Sequence, residues 1–162
     1  GALVEELVLQ GDRLQYRKVE GEGPETGWVS LRFKGSDLLA RPFDIIVYGC
    51  TGLAGHWACR WLKQAEEAEG LRWCVAGREP GKVQQVADEF AVGALSAADS
   101  EPASFERLAA RTKVVLALAG PYRRPWGKML VGACARRGTH WVDITGETSF
   151  VRECIDELHE TA

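Results

Sequence analysis

The sequence contains no long apolar run, and this absence argues against a membrane-spanning helix. None of its hydrophobic stretches approaches the roughly 20 residues that a helix needs to cross a bilayer. Basic residues are not in excess either, since 20 Lys and Arg stand against 23 Asp and Glu, a net charge of −3. A general nucleic-acid binder carries a basic surplus. We therefore expect neither a transmembrane segment nor a nucleic-acid partner.

The cysteines are odd in number and include no C-x-x-C pair, which argues against a disulfide framework or a zinc knuckle. Each lies in apolar sequence, where a free cysteine behaves as a small hydrophobic side chain. They are Cys50, Cys59, Cys74, Cys134 and Cys154. The histidines show no metal-ligand spacing, so no metal site is expected. Buried, reduced thiols predict a reducing compartment, either cytoplasmic or organellar and stroma-like.

Two common catalytic motifs are also missing. A short-chain dehydrogenase uses a Tyr-x-x-x-Lys pair, but Tyr48 and Tyr122 are followed four residues later by Gly52 and Trp126. The segment 127–129 reads Gly-Lys-Met and lacks the upstream glycine and the magnesium-binding hydroxyl of a P-loop. The sequence therefore offers no residue that we assign as a general acid or base.

From residue 42 onward, apolar runs of strand length alternate with segments of helical period. The predicted strands are 43–48, 71–76, 91–95, 113–119 and 139–143. Five such strand–helix units predict an α/β fold, a doubly wound parallel sheet of five strands that is Rossmann-like, with helices on both faces. The predicted domain spans residues 42–162.

Residues 1–40 form a separate β-rich arm in this interpretation. The patches 13–16 and 28–33 alternate apolar and polar residues as half-buried strands do, and a turn-rich loop at 20–27 separates them. A β-ribbon arm and part of a small barrel both fit. Because an isolated hairpin is marginal in water, we expect the arm to pack on the main domain or on a protein partner.

The strongest motif joins the first strand of the predicted sheet to the first helix. It is a G-x-x-G-x-x-G pattern that reads Gly49-Cys50-Thr51-Gly52-Leu53-Ala54-Gly55. Its glycines predict a tight turn, a close approach of backbone to a dinucleotide pyrophosphate, and close helix–strand packing. A bare turn between strand and helix is the alternative.

The second predicted strand is followed by Gly77 and Arg78, where an NAD-selective site places an acidic residue for the ribose hydroxyl. A guanidinium at this position suits the 2′-phosphate of NADP. A solvated turn arginine is the alternative, and Glu79 directly afterwards adds a competing negative charge.

Two further loops follow strands three and four of the predicted sheet, at the edge where ligands of open α/β sheets bind. Asp99 in the first loop is a candidate for the adenine edge, and a helix-capping loop is the equal alternative. In the second loop, Gly120 and Pro121 are predicted to let the nicotinamide ribose lie against the backbone, with Tyr122 beside it.

Asp143 ends the fifth predicted strand, and Glu147 begins the last predicted helix. A polar role toward a substrate or the nicotinamide is one interpretation. Capping of the last helix by Thr145 or the nearby acids is the other.

The tryptophans are numerous for a chain of this size. Trp57 and Trp61 share a predicted helix face with Leu62, so we expect them to cover the sheet as core residues. Trp28 and Trp126 are instead predicted as exposed anchors for a partner, because tryptophan is enriched in interface hot spots.

Four segments, 47–55, 73–78, 114–122 and 139–147, together resemble the N-terminal Rossmann domain of the saccharopine dehydrogenase-like oxidoreductases. The resemblance covers about residues 42–162 and implies an NADP-type dinucleotide site. With the loop candidates above, the predicted cofactor residues are Gly49, Cys50, Thr51, Gly52, Leu53, Ala54, Gly55, Gly77, Arg78, Asp99, Gly120, Pro121 and Tyr122. Cys50 stands where a smaller alanine is usual, and residues 1–40 are not part of the family pattern. Family members continue beyond the equivalent of Ala162 with a substrate and dimerisation domain.

Two functional hypotheses follow. The first is an NADP(H)-binding Rossmann module of oxidoreductase type that lacks the substrate domain, with the cofactor carrying the chemistry. The second is a non-catalytic structural or interaction subunit of a larger assembly, such as an organellar or photosynthetic-membrane one, because a fold does not imply a function.

Overall fold

The chain divides into two compact units, Gly1–Arg41 and Pro42–Ala162. A computed structural model describes residues 2–39, 43–98 and 100–162. The assignment of the two segments as separate functional domains stays a prediction.

The N-terminal unit is an antiparallel sheet followed by a short hairpin. Its strands β1 (Leu3–Gln10), β2 (Arg13–Glu20) and β3 (Thr26–Ser30) pair in that order, and β4 (Arg32–Phe33) pairs with β5 (Ser36–Asp37). The predicted antiparallel strands of the arm are therefore confirmed. Strand β1 was not predicted, because nearly all its side chains are exposed and its sequence has no alternating pattern.

The N-terminal unit has little core of its own. Among its described side chains, Leu14 is the single fully buried one, whereas Val19, Trp28 and Phe33 are exposed. Apolar burial is the main favourable contribution to folding. Because this unit buries little apolar surface, it gains little stability from that source.

The second unit is a five-stranded parallel sheet flanked by helices. In chain order its elements are β6 (Phe43–Tyr48), α1 (Leu53–Glu69), β7 (Trp73–Gly77), α2 (Pro80–Phe90), β8 (Gly93–Ser96), α3 (Pro102–Ala109), β9 (Thr112–Ala117), α4 (Pro125–Arg137), β10 (His140–Asp143) and α5 (Thr148–Leu158). The strand order is β10-β9-β6-β7-β8, and all neighbours run parallel. The predicted α/β fold class is confirmed.

Each face of the sheet has its own hydrophobic core. Successive residues of β6 point to opposite faces, as in any strand, so Ile46 belongs to one core and Val47 to the other. The first core includes Phe105 of α3 and Leu130 of α4, and the second includes Val83 of α2. The central strands are thus covered on both sides, which explains their continuous apolar sequence.

The predicted roles of three tryptophans are wrong. Trp57 and Trp61 are 53% and 69% exposed, because the buried stripe of α1 runs instead through Gly55 and Cys59. Trp126 is only 1% exposed and packs against the rings of Tyr48 and Tyr122, with centroids 5.1 and 5.5 Å away. Helical spacing identifies residues that share a stripe, but it does not say which of two adjacent stripes faces the sheet. Trp28 is exposed, as expected.

The cysteines are free, and all but one are buried, in agreement with the predicted burial of the thiols. Cys154 is half-buried. Burial raises the pKa of the Cys59, Cys74 and Cys134 thiols to about 12, so these groups remain neutral at ordinary pH.

Candidate NADP site

The candidate site lies at the carboxyl edge of the parallel sheet, where the strand order reverses. The chain leaves the central strand β6 toward β7 and β8 and then returns to place β9 and β10 on its other side. Ligands of open α/β sheets bind at such a switch point, outside the carboxyl ends of the strands. The loops that follow β6, β7 and β9 all meet this edge.

Gly49 connects three of the predicted segments. Its backbone N–H donates to the Ala76 carbonyl oxygen of β7 at 2.9 Å. Its φ of +92° is a conformation that favours glycine, and a Cβ at this position would lie 2.7 Å from the Ala119 Cβ in the loop after β9. The first glycine of the motif therefore brings together the ends of all three strands.

Gly55 and Gly52 have different reasons for lacking a side chain. A Cβ at Gly55 would lie 2.2 Å from the Gly49 carbonyl oxygen, so close packing of helix and turn requires glycine there. At Gly52 the nearest atom would be the same oxygen at an ordinary 3.5 Å. Gly52 is exposed at the N-cap of α1, and its missing side chain leaves the backbone open to a ligand.

The first turn of α1 fits an anionic group. Its first amides, those of Leu53, Ala54 and Gly55, precede the helical hydrogen-bond ladder and lie at the N-terminal end of the helix. Within this described turn there is no acidic residue and no side-chain cap. Thr51, Leu53 and Ala54 are exposed. Unpaired amides and the positive end of a helix dipole are the chemistry that binds a pyrophosphate.

Cys50 contributes backbone rather than a side chain to this loop. It is fully buried in the core formed with Val47 and Val75. Burial raises the pKa of its thiol to about 11, so it stays neutral. Because the sulfur lies in the core, it does not crowd the phosphate side of the turn.

Gly77 and Arg78 lie beside the glycine loop, at the end of β7. Gly77 is buried, with its carbonyl oxygen accepting from the Ala97 N–H, and Arg78 is exposed. The competing carboxylate of Glu79 forms an ion pair with Lys82 at 2.8 Å, which offsets part of its charge. Arg78 stands at the carboxyl edge of the sheet, and its role there remains a prediction.

The loop after β9 departs from the sequence prediction in one respect. Gly120 and Pro121 are exposed, but the Tyr122 side chain is only 3% exposed, and its hydroxyl donates to the Ala117 carbonyl oxygen at 2.7 Å. Burial, reinforced by the negative charge of Asp143, raises the pKa of this hydroxyl. The ring of Tyr122 is thus a core side chain and not an exposed one, although its backbone remains at the edge.

Glu147 has a role that neither sequence interpretation included. Its carboxylate accepts hydrogen bonds from the backbone N–H groups of Tyr122, at 2.6 Å, and Arg123, at 3.0 Å. Its own N–H donates to the Thr145 hydroxyl at 3.1 Å. Asp143 in turn accepts from the Thr145 N–H and from the Trp141 indole. Sequence reasoning missed the bonds from Tyr122 and Arg123 because these two residues lie far from Glu147 in the chain.

Asp99, the predicted adenine contact, lies outside the described residues. Beside it, the Ala98 N–H donates to the Ser104 hydroxyl at 3.1 Å, and that hydroxyl donates to the Glu101 carbonyl oxygen at 2.6 Å. Ser104 thus ties this loop to the first turn of α3.

The unit also contains an apolar cleft of about 600 Å³ between α4, β10 and α5. Its walls include Cys134, Trp141, Phe150 and Ile155. None of the predicted cofactor residues that the structure describes lines it, so the candidate site is the open sheet edge and not this cleft.

The part of the chain that the structure describes has neither a candidate metal site nor a helix suited to crossing a membrane. No three His, Cys, Asp or Glu side chains there are grouped so that they could hold a metal ion. No helix there combines the length and apolarity that crossing a membrane requires.

Comparison with known proteins decides which family these features represent. The family model described as the saccharopine dehydrogenase NADP binding domain matches residues 45–162. The chain belongs to the saccharopine dehydrogenase family. The predicted resemblance is confirmed, and the second unit is an NADP-binding Rossmann domain of this family.

Curated relatives agree with this family assignment. A trans-acting enoyl reductase of Mycobacterium ulcerans is 40% identical over 127 residues, which cover 75% of this chain and 30% of that protein. A putative trans-acting enoyl reductase of Mycobacterium tuberculosis is 39% identical with the same coverage. This chain of the saccharopine dehydrogenase family thus spans about 30% of the length of these relatives.

Solved structures share the fold at low sequence identity. Saccharopine dehydrogenase of Saccharomyces cerevisiae superposes with a TM-score of 0.55 at 18% identity, over 69% of this chain and 24% of that one. An NADPH-dependent quinone oxidoreductase of Escherichia coli, solved with NADPH, gives 0.58 at 18% identity, over 73% and 45%. These likenesses show the Rossmann fold alone.

Proposed function

We propose that this chain binds NADPH along the carboxyl edge of its sheet and serves as the cofactor-binding part of an enoyl reductase. The pyrophosphate lies on the amides of Leu53, Ala54 and Gly55, and Gly52 gives it access to the backbone. The observation that carries this placement is the glycine turn, where Gly49 and Gly55 leave no room for a Cβ and Gly52 leaves space open toward the ligand.

Arg78 selects NADPH over NADH in this proposal. The residue is exposed at the end of β7, directly beside the glycine loop, and the neighbouring Glu79 is paired with Lys82. A guanidinium forms charge-assisted, bidentate hydrogen bonds with a phosphate group. NADH lacks the 2′-phosphate and gains nothing from this contact.

Support for the enoyl reductase assignment comes from the two relatives at 39–40% identity, which are named trans-acting enoyl reductases. NADPH supplies the hydride for reduction of a carbon–carbon double bond. The residues of this chain bind and orient the cofactor. The hydroxyl of Tyr122, in the loop after β9, is buried and donates to the Ala117 carbonyl oxygen.

Titration of the purified chain with NADPH and NADH tests the cofactor proposal. We expect Arg78→Ala to weaken NADPH binding by roughly tenfold to a hundredfold, the effect of losing a charge-assisted hydrogen bond, and to leave NADH binding unchanged. Arg72→Ala is the matched control, because Arg72 precedes the same strand at its opposite end. Failure of the wild-type chain to bind either nucleotide at millimolar concentration would contradict the proposal.

We also propose a protein partner, the second candidate role for this chain. Leu53, Trp57 and Trp61 recur every four residues on α1 and are all more than half exposed, which forms an apolar stripe on one helix face. Trp28 and Phe33 add exposed aromatic side chains in the N-terminal unit. A monodisperse monomer with no companion after gentle extraction would count against a partner.

A further inference from the structure

The exposed Gly120–Pro121 segment ends at a residue whose backbone is held by a carboxylate. Glu147 lies at the N-cap of α5, and its two oxygens accept separately from the N–H groups of Tyr122 and Arg123, at 2.6 and 3.0 Å. Because the two donors belong to consecutive residues, one carboxylate fixes both the position and the direction of the chain as it leaves this segment.

The same loop is also held by packing of the Tyr122 side chain in the hydrophobic core. The Tyr122 ring lies against Trp126 and Phe150, with centroids 5.5 and 5.9 Å away, and its hydroxyl donates to Ala117. A Cβ at Gly127 would lie 2.0 Å from the Tyr122 carbonyl oxygen, so α4 begins directly against the loop. The hydroxyl and the N–H of Tyr122 both donate hydrogen bonds, and its carbonyl oxygen packs against Gly127. Gly120 and Pro121, in contrast, remain exposed.

Glu147 is itself oriented by a short series of hydrogen bonds. Its N–H donates to the Thr145 hydroxyl, and the Thr145 N–H donates to an Asp143 oxygen at 2.8 Å. The other Asp143 oxygen accepts from the Trp141 indole of β10. The end of β10 is thereby linked to the loop that follows β9, across the carboxyl edge of the sheet.

We propose that Glu147 is a positioning residue for the nicotinamide half of the bound dinucleotide. It holds the Gly120–Pro121 backbone in the place where the nicotinamide ribose lies, and Thr145 holds Glu147. This inference rests on the proposed NADPH site, where the pyrophosphate and the 2′-phosphate occupy other segments, the start of α1 and Arg78. Loss of the Glu147 bonds therefore affects one half of the ligand and spares the other.

The test compares two ligands on the full 162-residue chain. NADPH contains both halves of the dinucleotide, whereas 2′,5′-ADP contains only the adenosine half with its 2′-phosphate. We expect Glu147→Gln to weaken NADPH binding by about tenfold and to change 2′,5′-ADP binding by less than about twofold. An amide of the same size offers one acceptor oxygen and turns an NH₂ toward the second donor, so at least one of the two bonds is lost.

Control variants separate this positioning role from a loss of charge or of folding. Glu153→Gln removes an equal charge from the same helix, where Glu153 forms an ion pair with Lys128, and should bind both ligands as the wild type does. Thr145→Val removes the hydroxyl that accepts from Glu147 and should reproduce the selective loss, whereas Thr145→Ser should not. If Glu147→Gln fails to fold, the Thr145 pair decides by the same comparison.

The fluorescence of bound NADPH supplies a second readout. Its nicotinamide emission should shift and weaken toward that of the free cofactor in Glu147→Gln and Thr145→Val at saturating NADPH. The inference would be overturned if both variants bound NADPH with wild-type affinity. It would also be overturned if their affinities for NADPH and for 2′,5′-ADP fell by the same factor. If the wild-type chain binds neither ligand, the proposed cofactor site itself is overturned. The wild type is titrated first, so this outcome is distinguished from a failure of the Glu147 inference.

Discussion

The carbonyl oxygen of Gly49 lies 2.2 Å from the point where a side chain at Gly55 would begin. The two residues are the first and third glycines of the motif, and the contact between them brings the start of α1 against the turn that leaves β6. Gly49 is in turn fixed by its bond to Ala76 and its contact with Ala119. The geometry of the turn therefore depends on the absence of two side chains.

Gly55→Ala should destabilise the fold, because its Cβ has no space against the Gly49 carbonyl. We expect the free energy of unfolding to fall by about 2 kcal/mol, a typical cost of overpacking. Gly81→Ala in the first turn of α2 is the control, since a Cβ there meets nothing within 4 Å. Alanine is the better helix former, so Gly81→Ala should gain up to about 1 kcal/mol. Urea unfolding followed by helical circular dichroism measures both, and equal stability of the two variants would contradict the packing described.

Tryptophan substitutions should rank by burial and not by helix pattern. Trp126→Ala removes a side chain enclosed by Tyr48 and Tyr122 and should cost about 3–5 kcal/mol. Trp57→Ala and Trp61→Ala remove exposed side chains and should stay within about 0.5 kcal/mol of the wild type. Thermal unfolding of the three variants gives the ranking. A Trp61 variant as unstable as the Trp126 variant would place α1 in a different orientation on the sheet.

The contribution of Glu106 to stability should depend on pH. Burial by itself raises the pKa of this carboxyl, but hydrogen bonds from Arg136 and Arg137 outweigh burial and hold the pKa below its usual value. A lowered pKa in the folded state stabilises the protein above the unfolded-state pKa, and this stabilisation is lost as the pH falls through the folded-state pKa.

Glu106→Gln provides the measurement for this pH dependence. Because Arg136 is about half exposed, we expect the wild type to exceed the variant by only about 1 kcal/mol in free energy of unfolding at pH 7. The difference in free energy of unfolding should disappear in strong acid, near pH 2. There the carboxyl of Glu106 is protonated and is as neutral as the amide of the variant. A difference that grows toward low pH would have the wrong sign for this ion pair.

The fold and the glycine loop were predictable because their signals are local. Strand-length apolar runs that alternate with helical periods indicate a parallel sheet, and the loop between the first strand and helix has its glycines at fixed offsets. Strand β1 was missed because its residues are exposed on both faces and lack an alternating pattern. The Tyr122 ring was misplaced because a loop residue next to exposed neighbours carries no sequence mark of burial.

By itself the sequence determined the α/β class, the family and the position of the glycine loop, since each depends on residues close together in the chain. The tertiary structure decided which tryptophans are buried, why Gly49 and Gly55 must lack side chains, and that Glu147 holds the backbone of Tyr122. These features depend on contacts between residues that are distant in sequence or on the rotation of a helix against the sheet. Periodicity alone leaves such contacts open, because a helix with two apolar stripes can pack through either one until the whole core is assembled.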